Sequence, residues 1–439
     1  MRDNLVKRVA FCTFGCRLNS YDTETIRTLL ETKGGWNTVS MREEADVYVV
    51  NTCSVTAQAD ARARKAIRRI NNERPEAQIV VTGCYAQRAP EDIAELPGVS
   101  LIVGAADRGR IVEEMSLMNR GELRLSVSSI DEATKFLDVP ITEMMERSRA
   151  LVKVQEGCDL GCTFCIVPQT RGKSRSRQPE SVLNQVVGLV ESGYTEIVLT
   201  GVHIGSYGLD LRESRALLAE LISQILEIRG LDRLRLSSIE PSSVNEPLID
   251  LMASEPKFAR HFHIPLQSAS DDVLGRMQRG YSAGSFVALI EKIVGKIPDC
   301  GIGTDVIAGF PGETDVEFNK TFDCLAQLPI SYLHPFTYSP RPGSRAEALG
   351  DQISGDIKKR RTRSLKRLSR DKSAEFRLRH LGTEMSVLVE RDERSGLCKS
   401  GLTDNYIRVE LTGEQNRQGL LPVRLIDSTD TGLIGEVVG

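Results

Sequence analysis

Ten short apolar runs, each followed by an interval long enough to hold a helix, limit most strongly what this chain can fold into. Four come first, at Arg8 to Phe14, Asp46 to Val50, Gln78 to Thr82 and Leu101 to Val103. Six follow, at Ala150 to Gln155, Glu196 to Thr200, Arg233 to Ser237, His261 to Pro265, Gly303 to Ala308 and Tyr332 to Thr337. Returning from one parallel strand to the next needs a crossover of a dozen or more residues, so this alternation predicts an α/β protein built on parallel sheets. A weakly periodic stretch from about Asn119 to Arg149, including LDVPITEMMERSR, separates the two series. It predicts one domain over residues 1–130 and a second over 145–370. Six βα units fit a partial (β/α)6 barrel better than a closed eight-stranded one. Helices are expected between the strands, as in ESRALLAELISQILEI, where apolar residues recur at helical spacing.

Residues 375–439 read differently. The alternating segments TEMSVLVE, NYIRVEL, LPVRLI and GLIGEVV, with a hairpin turn at DERSG, predict a small C-terminal β-barrel. Just before it, Ile357 to Arg379 carries 11 Lys or Arg against Asp371 and Glu375, a local net of +9. The whole-chain charge of -3 hides that segregation and says nothing of partners. A 40% hydrophobic and 27% charged composition excludes disordered and fibrous classes. MRDNLVKRVA lacks the apolar stretch of a secretory leader, and no run approaches the roughly 18 residues of a membrane span. A cytoplasmic protein with no membrane partner is expected. In that reducing setting, ten cysteines predict metal binding or catalysis rather than a disulfide framework.

Cys16, Cys53 and Cys84, in TFGC, NTC and TGC, each fall just past the C-terminal end of a predicted strand. Parallel strands present those ends on one edge of a sheet, so three thiolates distant in sequence can meet there. Singly, each also fits the usual role of a small buried hydrophobe. Cys158, Cys162 and Cys165 form CxxxCxxC on one loop, in VQEGCDLGCTFCIVPQTRGKSRSR, a pattern suited to an iron-sulfur cluster or zinc. Structural zinc wants four ligands and no fourth cysteine or histidine lies nearby in sequence, which favours a cubane with one iron left open over zinc or a non-ligand loop. Cys12, Cys300, Cys324 and Cys398 lack ligand company and read as packing residues.

With GCRLNSYDTE, NTCSVTAQAD, TGCYAQ, EGCDLGCTFCIVP, LTGVHIGSYG, RLSSIEP, HIPLQSAS, DVIAGFPGET and TDNYIRV in this order, the sequence resembles the radical S-adenosylmethionine methylthiotransferases over almost its whole length. The resemblance implies two 4Fe-4S clusters, an auxiliary one on Cys16, Cys53 and Cys84 and a second on Cys158, Cys162 and Cys165 that binds S-adenosyl-L-methionine. Two molecules of S-adenosyl-L-methionine would serve, one as methyl donor and one as radical source. Phe164 matches the aromatic position near the adenine; Gly201, Glu240, Gln267 and Asp305 match strand-end positions of the cofactor pocket. Turn formation for the glycine and solvated or structural roles for the others are the plainer readings. Asn19 is expected near the transferred sulfur, or as a helix cap, and Arg171 and Arg175 at the substrate.

Within that family, GCRLNSYDTE, NTCSVTAQADARARKAIRR, LTGVHIGSYG and RLSSIEP resemble the threonylcarbamoyladenosine branch, whereas GCQMN marks the isopentenyl branch. The implied partners are tRNA bearing threonylcarbamoyladenosine and an electron donor such as flavodoxin or ferredoxin. The final barrel is similar to the TRAM module that grips tRNA. Independently of family, the basic Ile357 to Arg379 segment, the run of Arg171, Lys173, Arg175 and Arg177, and Arg62, Arg64, Lys65, Arg68 and Arg69 suit phosphate contact, though a charge run is also what a solvated face looks like. Gln169, Thr170 and Ala269 depart from the family wording. The rival readings are the same chemistry on a ribosomal-protein aspartate and a non-catalytic zinc module that binds RNA.

Overall fold

The computed structural model describes residues 7–145, 149–211, 217–390, 397–415 and 419–438. At the N-terminus, β1 (Arg8–Thr13), β2 (Asn37–Val39), β3 (Val47–Thr52), β4 (Gln78–Gly83), β5 (Val99–Val103) and β6 (Arg124–Ser126) form one all-parallel sheet in the order β2-β1-β3-β4-β5-β6. Both faces are covered, as parallel sheets require. Alternate residues of β3 serve different cores: Tyr48 and Val50 pack with Ile67 and Ile70 of the helix Ala57–Glu73, while Val47 and Val49 pack with Ile26 and Leu30 of the helix Arg17–Gly34. The edge strands β2 and β6, of three residues each, were not expected from the sequence.

Strands β7 (Arg149–Glu156), β8 (Arg175–Ser176), β9 (Glu196–Gly201) and β10 (Arg233–Leu236) make a sheet ordered β10-β9-β7-β8, in which only the two-residue β8 is antiparallel. β11 (His261–His263), β12 (Gly301–Ala308) and β13 (Tyr332–Thr337) form a parallel trio, joined to β10 by bridges Leu234–Phe258 and Ser238–His263. Six parallel strands thus curve as β7-β9-β10-β11-β12-β13, and no pairing closes β13 onto β7 among the described residues. The expected open barrel is present around one large apolar core that includes Val152, Leu199, Phe262, Ile302 and Leu333. The helix in ESRALLAELISQILEI spans Leu217–Leu226; the start of that stretch lies outside the described residues.

The helix Gly355–Leu378 leans on β13 through buried Leu365 and the Ser369 Oγ bond to Leu333 O, 2.8 Å. Beyond it, β14 (Glu384–Glu390), β15 (Cys398–Thr403), β16 (Arg408–Gln415), β17 (Gly419–Ser428) and β18 (Leu433–Val437) close a five-stranded barrel ordered β14-β15-β16-β18-β17. Two details correct the sequence reading. CKSGLT is a strand, and Asn405 and Tyr406, expected in one, form a turn with Tyr406 at φ 74°. The expected DERSG hairpin turn lies outside the described residues. Among the described residues no helix is long and apolar enough to cross a membrane. Cys300 and Cys398 are buried, and Cys12 and Cys324 pack against apolar cores, as expected for packing residues.

Candidate functional site

The order β1-β3-β4 makes neighbours of the three strands whose ends carry the first cysteine trio. Cys16 caps the helix Arg17–Gly34, Cys53 follows Thr52, and Cys84 opens the helix Cys84–Arg88. Their approach leaves no room for side chains on the intervening glycines. A Cβ on Gly15, at φ 111°, would lie 2.7 Å from Cys53 Cβ, and one on Gly83, at φ 96°, 2.4 Å from Thr52 O. Burial pushes the Cys53 thiol up to about 11, with the Cys84 and Cys16 thiols adding to the rise.

Cys158, Cys162 and Cys165 occupy the loop between β7 and the helix Val167–Arg171. The loop is fixed by Cys158 N donating to Gly172 O (3.0 Å), Thr163 N to Met277 O (3.0 Å) and Ala346 N to Thr163 O (2.8 Å). Backbone N–H groups of Leu160 and Val167 each lie 3.4 Å from the Sγ of Cys158 and Cys165. Arg279, which no sequence signal singles out, donates from Nη1 to Cys162 Sγ at 2.9 Å while its Nη2 pairs with Glu240. Burial pushes Cys158 up to about 11 and Cys165 up to about 12, so a bound cation is what would draw out their thiolates. Among the described residues only His263, Asp305 and His334 bring three ligand atoms within 4.8 Å of one another; in neither cysteine trio are all three Sγ that close. Structural zinc takes four protein ligands, whereas each trio offers three sulfurs, a donor set that suits a four-iron group with one open corner.

The cleft beside the second trio reaches the chain just past Cys53 of the first. Helices Cys84–Arg88 and Val167–Arg171 pack together. Val55 and Thr56 beyond Cys53 line one cleft jointly with Phe164, Cys165, Ile166, Val167, Gln267, Asp305, Phe336 and Tyr338. Of the expected pocket residues, Phe164, Gln267 and Asp305 therefore face it. Gln267 adopts φ 65° and donates its N–H to Asp305 O at 2.8 Å. Burial opposes ionisation of Asp305, but hydrogen bonds from His263 and His334 outweigh it and hold the carboxyl at about 2. Gly201 and Glu240 do not line the cleft. Glu240 is Arg279's counter-ion, its carboxyl raised by burial, and Gly201 abuts the Gln155 side chain that accepts from His203 N.

Asn19, Arg171 and Arg175 are all buried. Asn19 is 1% exposed; its amide donates to Phe14 O and Thr52 O and its Oδ1 accepts from Arg171 Nη2, so it does not cap the helix and is held beside Cys53. Arg171 joins a buried network across the domain joint. It bonds Asp22 (2.9 Å) and Glu156 (2.6 Å), Lys153 bonds the same two carboxylates (2.7 and 2.6 Å), and Arg108 bonds Asp22 (2.9 Å). Arg175 and Arg177 are buried as well, leaving Lys173 as the exposed cation of that run. Three cations on two carboxylates leave one positive charge over; burial opposes the Arg171 charge, but Cys84, Asp22, Glu156 and Cys16 outweigh it and hold the guanidinium well above its ordinary value. Through Asn19, which accepts from Arg171 and donates to Thr52 O, the network adjoins the first trio, where thiolates holding iron would balance the excess charge. A second joint ties Arg341, after β13, to Asp60 and to Ser54 Oγ (3.0 Å), beside Cys53.

Residues 8–104 match the uncharacterized protein family UPF0004, and residues 152–325 the radical SAM superfamily. The chain is 37% identical over 416 residues to the threonylcarbamoyladenosine tRNA methylthiotransferase MtaB of Bacillus subtilis, covering 94% of this chain and 92% of that one. The protein of the same description from Aquifex aeolicus is 38% identical over 92% of this chain and 97% of its own. A tRNA-2-methylthio-N(6)-dimethylallyladenosine synthase from Aquifex aeolicus is 32% identical over 98% and 99%. Among solved structures, the radical S-adenosylmethionine methyltransferase TsrM from Kitasatospora setae, with cobalamin and a [4Fe-4S] cluster bound, shares the fold at TM-score 0.60 and 15% identity, over 78% of this chain and 77% of that one.

Proposed function

The chain belongs to the radical S-adenosylmethionine methylthiotransferases, and from that membership we propose that it adds a methylthio group to carbon 2 of N6-threonylcarbamoyladenosine beside the anticodon of tRNA. The observation that carries the reading is a cleft that holds Cys165 of the second trio and the residues just past Cys53 of the first, in a chain similar over nearly its full length to enzymes of that description. Bound to those trios, the clusters and S-adenosylmethionine would supply reductive radical chemistry at carbon together with the sulfur and methyl group to be transferred.

The chain's own residues arrange the rest. Cys158, Cys162 and Cys165 would hold one cluster by three corners, with Arg279 and two backbone amides donating to the sulfurs and so tuning it. Cys16, Cys53 and Cys84 would hold the other, its charge countered by Arg171. Phe164, Gln267 and Asp305 would bound the cofactor between them. On the helix Gly355–Leu378, Lys359, Arg360, Arg363, Lys366, Arg367 and Arg370 recur at helical spacing, are exposed, and make no ion pair among the described residues. Such a stripe suits a phosphate backbone. An electron donor of the flavodoxin or ferredoxin kind and a cytoplasmic setting complete the reading; free thiols at all ten cysteines accord with a reducing compartment.

The test is anaerobic reconstitution with iron and sulfide, followed by nucleoside mass spectrometry of tRNA carrying threonylcarbamoyladenosine. A methylthio derivative of that nucleoside is expected. Its absence, with modification of a ribosomal-protein peptide instead, would overturn the reading.

A further inference from the structure

Away from the cysteines, one residue of the C-terminal barrel reaches the start of the first helix. Tyr406 sits at φ 74°, a strained conformation for a bulky side chain. The turn that carries it is clamped to the central barrel. Arg235 donates to Thr403 O (2.9 Å) and Asp404 O (2.8 Å), Arg260 Nε to Asp404 Oδ2 (2.7 Å), and Asn405 Nδ2 to Asp299 O (3.2 Å). So held, the Tyr406 ring stacks on His261 with centroids 4.3 Å apart and lies 5.9 Å from Tyr332. Its hydroxyl accepts from Arg17 Nη2 at 2.8 Å. Strain maintained by this many contacts points to a function for the position.

Arg17 is half-buried, directly follows Cys16, and is unlike the other arginines around the joints. Arg108, Arg171, Arg235, Arg279 and Arg341 each pair with a carboxylate. Arg17 pairs with none among the described residues, and Asp305 of the cleft is taken by His263 (2.9 Å) and His334 (3.5 Å). The Tyr406 hydroxyl is a neutral acceptor that uses one of five guanidinium donors. What remains is a positioned planar fork with no counter-ion, a geometry that suits an incoming carboxylate.

We propose that Arg17, fixed by Tyr406, is the receptor for the carboxylate of the threonylcarbamoyl group on the substrate adenosine. This rests on the substrate assigned above. The N6 substituent and carbon 2 of adenine flank the same ring nitrogen on one edge of the base. A receptor for the substituent therefore belongs beside the place where carbon 2 meets the sulfur-bearing trio, and Arg17 adjoins that trio's Cys16. A tRNA phosphate is the other anion that could fill the fork.

The experiment compares the reconstituted full-length enzyme with R17Q, R17K and Y406F. Each is titrated anaerobically with one tRNA prepared with threonylcarbamoyladenosine and with plain adenosine at the same position. Wild-type enzyme should prefer the modified tRNA. R17Q should cut that preference about tenfold or more, as loss of a charge-assisted bond implies, while keeping wild-type iron content. R17K and Y406F should fall between, R17K keeping the charge without the fork and Y406F the fork without its anchor, so the trend stands even if R17Q folds poorly. Equal weakening toward both tRNAs would assign Arg17 to a phosphate and overturn the proposal, as would an unchanged preference. Wild-type enzyme that forms no methylthio product on the modified tRNA would instead refute the substrate reading and remove this proposal with it.

Discussion

Replacing Asp22 with asparagine should loosen the joint between the N-terminal sheet and the central barrel. The Asp22 side chain is 1% exposed and accepts from Arg108, Lys153 and Arg171 at 2.7 to 2.9 Å. Glu156 still holds Lys153 and Arg171 at 2.6 Å but lies 3.7 Å from Arg108, so Arg108 loses most of its compensation. Stripping a buried charge of its partner costs about 3–5 kcal/mol, and the remaining Glu156 bonds place this case near the low end of that range. For a unit of 150–250 residues, that lowers the first thermal transition by about 6–12 °C. Burial opposes ionisation of both carboxylates, yet the three cations outweigh it and hold Asp22 below, and Glu156 well below, their ordinary values. A depressed carboxylate contributes stability above its unfolded pKa, near 4, and loses it as pH falls through the lower folded value. The gap between wild type and D22N should therefore be full at pH 7 and shrink below about pH 4. Calorimetry across that range is the assay. D22N combined with R108Q should regain about 0.5–3 kcal/mol, because the pair is coupled. A D22N transition within about 1 °C of wild type, or a gap that persists undiminished in acid, would refute the account of the joint.

Three further outcomes follow from the geometry. C158A should abolish both S-adenosylmethionine cleavage and product, whereas C53A should retain measurable reductive cleavage and lose product; equal loss of cleavage in both, with folding intact, would refute divided roles. R279M removes the donor to Cys162 and leaves Glu240 unpaired. It should move the midpoint potential of that cluster to more negative values and slow reductive cleavage by about 10–100-fold, read by spectroscopic redox titration, and an unchanged potential would remove Arg279 from the tuning shell. Neutralising Lys359, Arg363, Lys366 and Arg370 together should lower the slope of log affinity against log salt for tRNA by about 0.7–0.9 for each phosphate left without its cation; an unchanged slope would place the RNA elsewhere.

What could be read from sequence was whatever depends on local period and spacing. Most of the parallel strands declare themselves because they are short runs rich in apolar residues, such as VYVVNT and EIVLTG, and Cys16, Cys53 and Cys84 because each follows such a run closely. β2, with Asn37 and Thr38 in a three-residue strand, and β15, with Lys399, Ser400 and Gly401, have neither the length nor the apolar content to show. Tyr406 was expected in a strand because NYIRVEL alternates; its positive φ depends on partners such as Arg235, more than 160 residues away. The same limit explains Arg171 and Arg175. A basic run looks solvent-facing until the chain brings Asp22, 149 residues earlier, against it. Arg279 and Arg17 carry no local mark at all, since each matters through a partner separated by 117 and 389 residues respectively.

Through its hydroxyl, the clamped turn at Tyr406 makes the tail module the brace of Arg17, next to the first cysteine trio, as well as a handle for RNA. Chimeras that exchange this module among relatives would thus transplant the side chain that braces Arg17, and a shift in their products would report altered selection of the nucleoside together with altered grip. Trimming the tail should likewise change which base is accepted, even at tRNA concentrations high enough to restore occupancy.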